Sequence, residues 1–276
     1  MHQDYRLLPL DDLELLEKQT LRMIVQALQQ YSGEAKRIFD NAPPKGTEVI
    51  VLAEDLTQYA LEVAEIYPID RRFAGFIDYK RSRWFPTSAG LIPQVLLADA
   101  KASKENNRDT LQASQLPMDA DFNVTVDGVT TAHHLDAGVP QHMEIPSAGG
   151  VLHAVTTSIF VHMYYRDVSK IQEPYRDLKD IYVLAVPHGR LKDKYNPNAS
   201  TGFWGKGKHS DARQEDPRIR VYFDRLRQAC PWRLQQLTYA GSTDGFTQAI
   251  WRDVDASGFE TNEPFLYLPR PIQGEA

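Results

Sequence analysis

The chain has 276 residues, of which 42% are hydrophobic and 25% charged, and its formal net charge at pH 7 is -6. This length allows one large domain with a proper core, and the composition excludes disordered and fibrous proteins. No apolar run approaches the roughly 18 residues of a membrane-spanning helix, and charges interrupt the N-terminal segment, so neither a membrane partner nor a signal peptide is expected.

The first helix is predicted over residues 11–31, where apolar side chains recur at helical spacing. Asp11 or Asp12 is the expected cap, and Gly33 is the expected stop. A short second helix is predicted over residues 34–40.

The next segment, EVIVL at residues 48–52, resembles a short strand, with Asp55 capping a helix over residues 56–66. An Asp127-Gly128 pair between β-branched residues indicates a hairpin over residues 123–131. The other predicted elements are strands over residues 73–79, 94–101, 156–165, 181–186 and 217–223, and helices over residues 108–115 and 224–229.

Helices and buried strands together predict an α/β fold with a mixed β-sheet flanked by helices. No long linker divides the chain, so we expect a single domain over residues 1–276. Residues 1–120 and 151–235 would form its core, and residues 121–150 an insertion. The one cysteine, Cys230, cannot form an internal disulfide, which favours a cytoplasmic location.

Charge is distributed unevenly along the chain. Residues 190–233 contain eleven Lys or Arg and five Asp or Glu, an excess of six positive charges, so the remainder carries an excess of twelve negative charges. A basic surface on an acidic protein can bind a phosphate backbone. A solvated basic loop explains the same pattern, and charge alone does not separate the two interpretations.

The strongest chemical pattern lies at the end of the strand VLLADAK. Asp99 and Lys101 are two residues apart, so a strand would project both side chains from one face. A second acid, Asp78, ends the preceding predicted strand 21 residues earlier. Paired carboxylates suit Mg²⁺, which takes oxygen ligands, and a nearby lysine could position or deprotonate an attacking water.

The PD-(D/E)xK nucleases have an acidic residue followed, about twenty residues later, by a second acid, any residue and a lysine. The chain matches this pattern, although Ile77 stands here in place of the proline. The pattern is short, and a salt bridge at a strand end is its structural alternative. Glu62 or Glu65 could assist a metal, or could simply lie on a solvated helix face.

The whole chain resembles the SfiI-like type II restriction endonucleases of the PD-(D/E)xK superfamily. The matching stretches include EKQTLR, EVIVLAED, RRFAGFIDYKR, AVTTSIFVH and ACPWRLQ, and they span nearly the full length. The resemblance implies a PD-(D/E)xK nuclease core with β-hairpin DNA-recognition elements. It also implies Mg²⁺-dependent double-strand cuts at GGCC-spacer-GGCC by a homotetramer that binds two double-stranded DNA sites. It assigns metal binding to Asp78 and Asp99 and the catalytic lysine to Lys101.

The resemblance places base recognition in the basic region, on Lys208, Ser210, Arg218 and Arg220. Independently, Arg218 and Arg220 alternate along one predicted strand, and arginine donors match guanine O6 and N7, as a GC-only site requires. Ordinary ion pairs with Glu215 and Asp216 are the alternative.

Asn106, Asn107 and Arg108 follow Lys101 closely, so they are candidates for minor-groove or backbone contacts, or simply for a helix start. His133 and His134 are adjacent in sequence and are not expected to chelate one metal. Two other function classes share these patterns: a repair or recombination nuclease with the same core, and a DNA-binding protein without catalysis.

Overall fold

The computed structural model describes residues 8–41, 48–64, 66–68, 79–87, 90–104, 109–147, 149–168, 175–208, 216–239, 247–254 and 260–264. The helices are α1 (Leu10–Gln30), α2 (Ser32–Asn41), α3 (Glu48–Val63), α4 (Lys192–Tyr195) and α5 (Phe223–Ala229). The strands are β1 (Tyr67–Pro68), β2 (Tyr79–Thr87), β3 (Gly90–Ser103), β4 (Thr110–Gln112), β5 (Ala120–Val126), β6 (Val129–Leu135), β7 (His142–Ser147), β8 (Gly150–Val168), β9 (Tyr175–Val186), β10 (Trp204–Lys206), β11 (Arg218–Val221), β12 (Leu234–Tyr239), β13 (Thr247–Val254) and β14 (Glu260–Pro264).

Nine strands form one mixed sheet in the order β1-β2-β3-β8-β9-β12-β13-β14, with β7 also pairing with β8. β3 and β8 run parallel, whereas the other neighbours in the sheet are antiparallel. Helices α1, α2 and α3 pack against this sheet. The predicted α/β fold with a mixed, helix-flanked sheet is therefore confirmed.

The two faces of β3 have different neighbours. Gln94 donates a hydrogen bond to Thr20 in α1, so the even-numbered side chains of β3 face the helices. Val95 and Leu97 pack in a separate apolar cluster with Val139. The odd-numbered face, which also carries Asp99 and Lys101, therefore points away from α1.

Two smaller sheets complete the described fold. β10, β11 and β4 form a three-stranded antiparallel sheet, and β5 and β6 form the predicted hairpin. Asp127 and Gly128 at its turn have φ angles of 51° and 80°, the left-handed conformation that a two-residue hairpin turn demands. The division of the chain into a core and an insertion over residues 121–150 stays a prediction.

The helix-end predictions in α1 and α2 need correction. The helix over residues 11–31 is confirmed as α1, but its N-cap is Pro9. Asp11 and Asp12 lie in the first turn, where negative charges interact favourably with the positive end of the helix dipole. Gly33 does not stop a helix, because α1 ends at Gln30 and Gly33 lies within α2.

The predicted strand over residues 48–52 is wrong. The segment begins α3, and Asp55, the expected cap, lies inside that helix. Buried side chains at Val49, Ala53 and Ala60 follow helical spacing, whereas Ile50 is exposed. β-branched side chains favour strands only weakly, and packing of one helix face against the core overrides that preference.

The predicted helix over residues 108–115 is also wrong for residues 109–115, the part that the structure describes. Thr110–Gln112 forms β4, followed by a 3-10 turn over Ala113–Gln115. β4 pairs with β11, a strand more than a hundred residues later in the chain. Most of the predicted strand over residues 73–79 lies outside the described residues; Tyr79 begins β2.

No helix in the described parts of the chain is both long and apolar enough to cross a membrane.

Candidate nuclease site and DNA-recognition strand

Asp99 and Lys101 lie near the end of β3, in the interior of the large sheet between β2 and β8. The Nζ atom of Lys101 is 3.2 Å from Oδ2 of Asp99, and Asp99 is only 3% exposed. The strand alternation therefore brings the two side chains together as predicted. A carboxylate at this depth is costly unless it is paired or bound to a metal, so Asp99 is an unusual residue for a surface ion pair.

Gln115 is the third member of this site, and the sequence interpretation did not find it. Its side-chain amide donates a hydrogen bond to Oδ1 of Asp99 at 2.9 Å, and its amide oxygen accepts one from Nζ of Lys101 at 3.0 Å. The same oxygen accepts a hydrogen bond from the backbone N–H of Gln112 at 3.0 Å. No local pattern marks Gln115, because a glutamine in an irregular segment is usually a surface residue.

Asp78, the second predicted acid, lies outside the described residues. Its chain neighbour Tyr79 begins β2 and pairs with Ala98, the residue before Asp99. Glu65 also lies outside the described residues. Glu62 is exposed on α3 and accepts a hydrogen bond from Gln58, so the solvated-face alternative holds for it.

The donor chemistry at Asp99 fits a hard cation. Its carboxylate is a buried oxygen ligand, and Mg²⁺ usually takes one or two protein carboxylates and completes its shell with water and phosphate. Among the described residues, no group of three His, Cys, Asp or Glu side chains could hold a metal.

β11 carries the two predicted recognition arginines. Ile219 and Val221 are fully buried, while Arg218 and Arg220, which alternate with them, are partly exposed, so the predicted alternation is confirmed. The Nε atom of Arg220 lies 3.1 Å from a carboxylate oxygen of Asp109.

Asp216 does not form the alternative ion pair with these arginines. It accepts hydrogen bonds from the side chain of Gln112 and from the backbone and hydroxyl of Ser114. Glu215 and Ser210 lie outside the described residues. Lys208 is exposed, and the preceding residue, Gly207, donates its N–H to the carbonyl of Arg218 at 3.0 Å.

The predicted contacts at Asn106, Asn107 and Arg108 fall outside the described residues. His133 and His134 point to different partners, since His133 stacks on Phe122 and His134 contacts Asp121. Their side chains are therefore directed to different neighbours. Cys230 is buried, and burial raises the pKa of its thiol.

The chain matches known proteins over nearly all of its length. A family model described as "Type II restriction enzyme SfiI" matches residues 34–237. The type II restriction enzyme SfiI of Streptomyces fimbriatus is 63% identical over 272 residues, covering 98% of this chain and 100% of the relative.

Solved structures agree with the sequence matches. The crystal structure of the tetrameric restriction endonuclease SfiI bound to cognate DNA superimposes with a TM-score of 0.87 at 63% identity, covering 98% of this chain and 100% of that chain. The restriction endonuclease BglI bound to its DNA recognition sequence superimposes with a TM-score of 0.61 at 15% identity, covering 82% of this chain and 90% of that chain, and so shows the fold alone.

The mixed, helix-flanked sheet places the chain in the class of proteins with the restriction-endonuclease fold. Within that class the chain belongs to the SfiI family of type II restriction enzymes, and it is a site-specific deoxyribonuclease. This membership favours the restriction enzyme over the repair-nuclease and non-catalytic alternatives.

Proposed function

We propose that this enzyme makes Mg²⁺-dependent double-strand cuts at GGCC-spacer-GGCC. The observation that carries the proposal is the ion pair between buried Asp99 and half-buried Lys101, in the same fold as a strand that presents Arg218 and Arg220. One element supplies hydrolytic chemistry at phosphate, and the other supplies donors that suit guanine.

Asp99 and Asp78 would hold the metal. The support for this pair is sequence adjacency: Asp78 directly precedes Tyr79 in the chain, and Tyr79 pairs with Ala98, the residue before Asp99. When bound, Mg²⁺ stabilises charge on the scissile phosphate and lowers the pKa of a bound water. Lys101, held at the carboxylate of Asp99, would orient the attacking water and stabilise negative charge on the phosphate.

Recognition would use the basic strand and its neighbours. Arg218 and Arg220 would each donate to a guanine, and Lys208 and Ser210 would contact bases or phosphates nearby. Asn106, Asn107 and Arg108 would contact the backbone or the minor groove beside the cut, because they follow Lys101 closely in the chain.

The functional assembly would be a homotetramer that engages two DNA sites. The relative with 63% identity over 98% of this chain is tetrameric and bound to cognate DNA in its crystal structure. Sedimentation should give four times the 31.4 kDa of one chain, and a plasmid with two sites should be cut faster than a plasmid with one. We also infer a cytoplasmic location, because Cys230 is an unpaired, buried thiol.

Cleavage of plasmids carrying GGCC-spacer-GGCC, in a series that differs only in spacer length, tests the proposed specificity. One spacer should be cut in the presence of Mg²⁺ and none in EDTA. Asp99→Asn should lower the cleavage rate at least about 100-fold, because a charged group acting on the transition state is lost. Asp180→Asn is the matched control, since Asp180 accepts hydrogen bonds from Gln236 and Thr238 two strands away from β3. Full activity of Asp99→Asn would refute the assignment.

The recognition strand can be tested separately. Arg218→Ala and Arg220→Ala should each reduce discrimination against a single base-pair change by about 1–3 kcal/mol. Arg37→Ala, at an exposed arginine in α2 that pairs with Glu34, should leave discrimination unchanged. Unaltered specificity in both β11 variants would rule out this strand as the base reader.

A further inference from the structure

We propose that Gln115 and Asp216 are positioning residues that couple the recognition strand β11 to the Asp99–Lys101 pair. The inference rests on the proposed function, because it assumes that β11 reads DNA and that Asp99 and Lys101 cut it.

Gln115 holds both members of the cleavage pair with one amide group. Its nitrogen donates to Asp99 at 2.9 Å, and its oxygen accepts from Lys101 at 3.0 Å. The opposite orientation of the amide would place an NH₂ group against an ammonium and a carbonyl against a carboxylate, so the orientation is determined by the charges. Gln115 is 1% exposed, and hydrogen bonds at such a depth are costly to break.

The turn that carries Gln115 is hydrogen-bonded to the residues that precede β11. Asp216 accepts hydrogen bonds from the Gln112 side chain at 3.0 Å, from the Ser114 backbone at 2.9 Å and from the Ser114 hydroxyl at 3.0 Å. The backbone N–H of Ala113 donates to the carbonyl of Pro217 at 2.9 Å. Asp216, two residues before Arg218, therefore holds the end of β4 through one hydrogen bond and the turn through two.

These contacts form a continuous path between the two sites. In the β4–β11 ladder, Gln112 pairs with Arg218, and the Gln112 N–H donates to the Gln115 amide oxygen that also holds Lys101. A shift of β11 on a non-cognate sequence would therefore move the turn and, with it, the amide that orients Asp99 and Lys101. A continuous chain of contacts can carry energetic coupling between the recognition strand and the cleavage pair, and a measured coupling between the two sites would establish it.

The first experiment replaces Gln115 with methionine, which keeps the length of the side chain and removes its hydrogen bonds. The control is Gln235→Met. Gln235 is also 1% exposed, donates to the carbonyls of Trp232 and Arg252, and accepts from the backbone of Arg252. The measurements are the single-turnover cleavage rate with Mg²⁺, the Kd for cognate DNA in EDTA, and thermal unfolding.

Gln115→Met should lower the cleavage rate about 10- to 100-fold, as is typical when a residue that orients a metal ligand is lost. Its Kd for cognate DNA in EDTA should remain within about threefold of that of the unmodified enzyme. This is a smaller change in binding free energy than the about 1.4 kcal/mol that corresponds to a tenfold change in Kd. Gln235→Met should lose stability and retain its cleavage rate. Equal losses of cleavage in the two variants, or a Kd that rises in proportion to the lost rate, would overturn the positioning role.

The second experiment separates coupling from recognition, using Asp216→Ala with Asp180→Ala as the matched control. Cleavage selectivity for cognate DNA over a duplex with one base pair changed should fall about tenfold or more in Asp216→Ala, while binding selectivity in EDTA stays unchanged. A parallel fall in binding selectivity, or unchanged cleavage selectivity, would overturn the coupling. Asp216→Asn, which keeps an acceptor for the Ser114 N–H, serves if the alanine variant does not fold.

Failure of this inference is distinguishable from failure of the proposed function. If Asp99→Asn is inactive and Arg218→Ala loses discrimination while the Gln115 and Asp216 variants behave like their controls, the proposed function stands and the coupling fails. If Asp99→Asn cuts normally, the proposed function itself fails.

Discussion

His188 should make the stability of this enzyme decline in mildly acidic solution. The residue is 4% exposed and caps a 3-10 turn, accepting the Arg190 N–H at Nδ1 while Nε2 lies 2.8 Å from the carbonyl of Gln141. Burial, with a smaller contribution from the charge of Arg190, lowers the pKa of His188 from 6.5 to about 4, against the opposing effect of the Gln141 bond. The neutral imidazole, with its proton on Nε2, satisfies these two contacts.

The direction follows from proton linkage. Because the folded-state pKa is depressed, the unfolded chain takes up the proton first as the pH falls below 6.5. The contribution of His188 to stability is therefore fully retained above pH 6.5 and lost progressively towards pH 4. The complete loss is about 3 kcal/mol, and about 2 kcal/mol of it should already be lost at pH 5.

Urea unfolding between pH 7.5 and 4.5, for the unmodified enzyme and for His188→Asn, measures this loss. Asparagine retains an acceptor for the Arg190 N–H but does not titrate. Every other ionisable group is present in both proteins, and asparagine retains the backbone N–H that His188 donates to Glu17, so the contributions of those groups cancel to first order in the difference between the two free energies of unfolding. That difference should shift by about 2 kcal/mol in favour of the variant between pH 7.5 and 5. A constant difference across this range would refute the reasoning.

Three further predictions concern stability and reactivity. Arg233→Met should lower the free energy of unfolding by about 3–5 kcal/mol, because it leaves the buried carboxylate of Glu17, 2.7 Å from Arg233, without a positive charge. In urea unfolding, the double variant Glu17→Gln/Arg233→Met should be more stable than Arg233→Met alone. Gly128→Ala should cost about 1–2 kcal/mol in thermal unfolding because its φ is +80°, whereas Gly149→Ala, at an open position without that conformation, should cost less. Cys230, buried with a raised pKa, should react with a thiol reagent only on unfolding, and rapid labelling of the native enzyme would contradict its placement.

The confirmed sequence predictions depend on short-range patterns. The apolar repeat of α1, the Asp127-Gly128 turn and the alternation of Arg218 with Ile219 can each be recognised from residues close together in the chain. Such patterns arise because helix and strand periodicities decide which side chains share a face. The same alternation placed Asp99 and Lys101 side by side.

The wrong predictions share a different physical cause. EVIVL has the composition of a strand, yet it forms the start of α3 because Val49 and Ala53 pack against the core on one helical face. Residues 110–112 resemble part of a helix, yet they form β4 because β11 supplies their hydrogen-bond partners from far along the chain. The helix or strand propensity of a short segment contributes less to stability than its packing or strand pairing with a distant segment. The sequence of the short segment does not identify that distant partner.

In the candidate site, too, some residues could be predicted from local sequence patterns and others only from the tertiary structure. Two-residue spacing on a strand is sufficient to predict that Asp99 and Lys101 project together, and this prediction needed no knowledge of the fold. The participation of Gln115 and Asp216 depends on the β4–β11 pairing and on the 3-10 turn that follows it, contacts that span 102 residues between Ser114 and Asp216. No periodicity in the chain encodes such a contact, because it exists only after two distant segments have packed against one another.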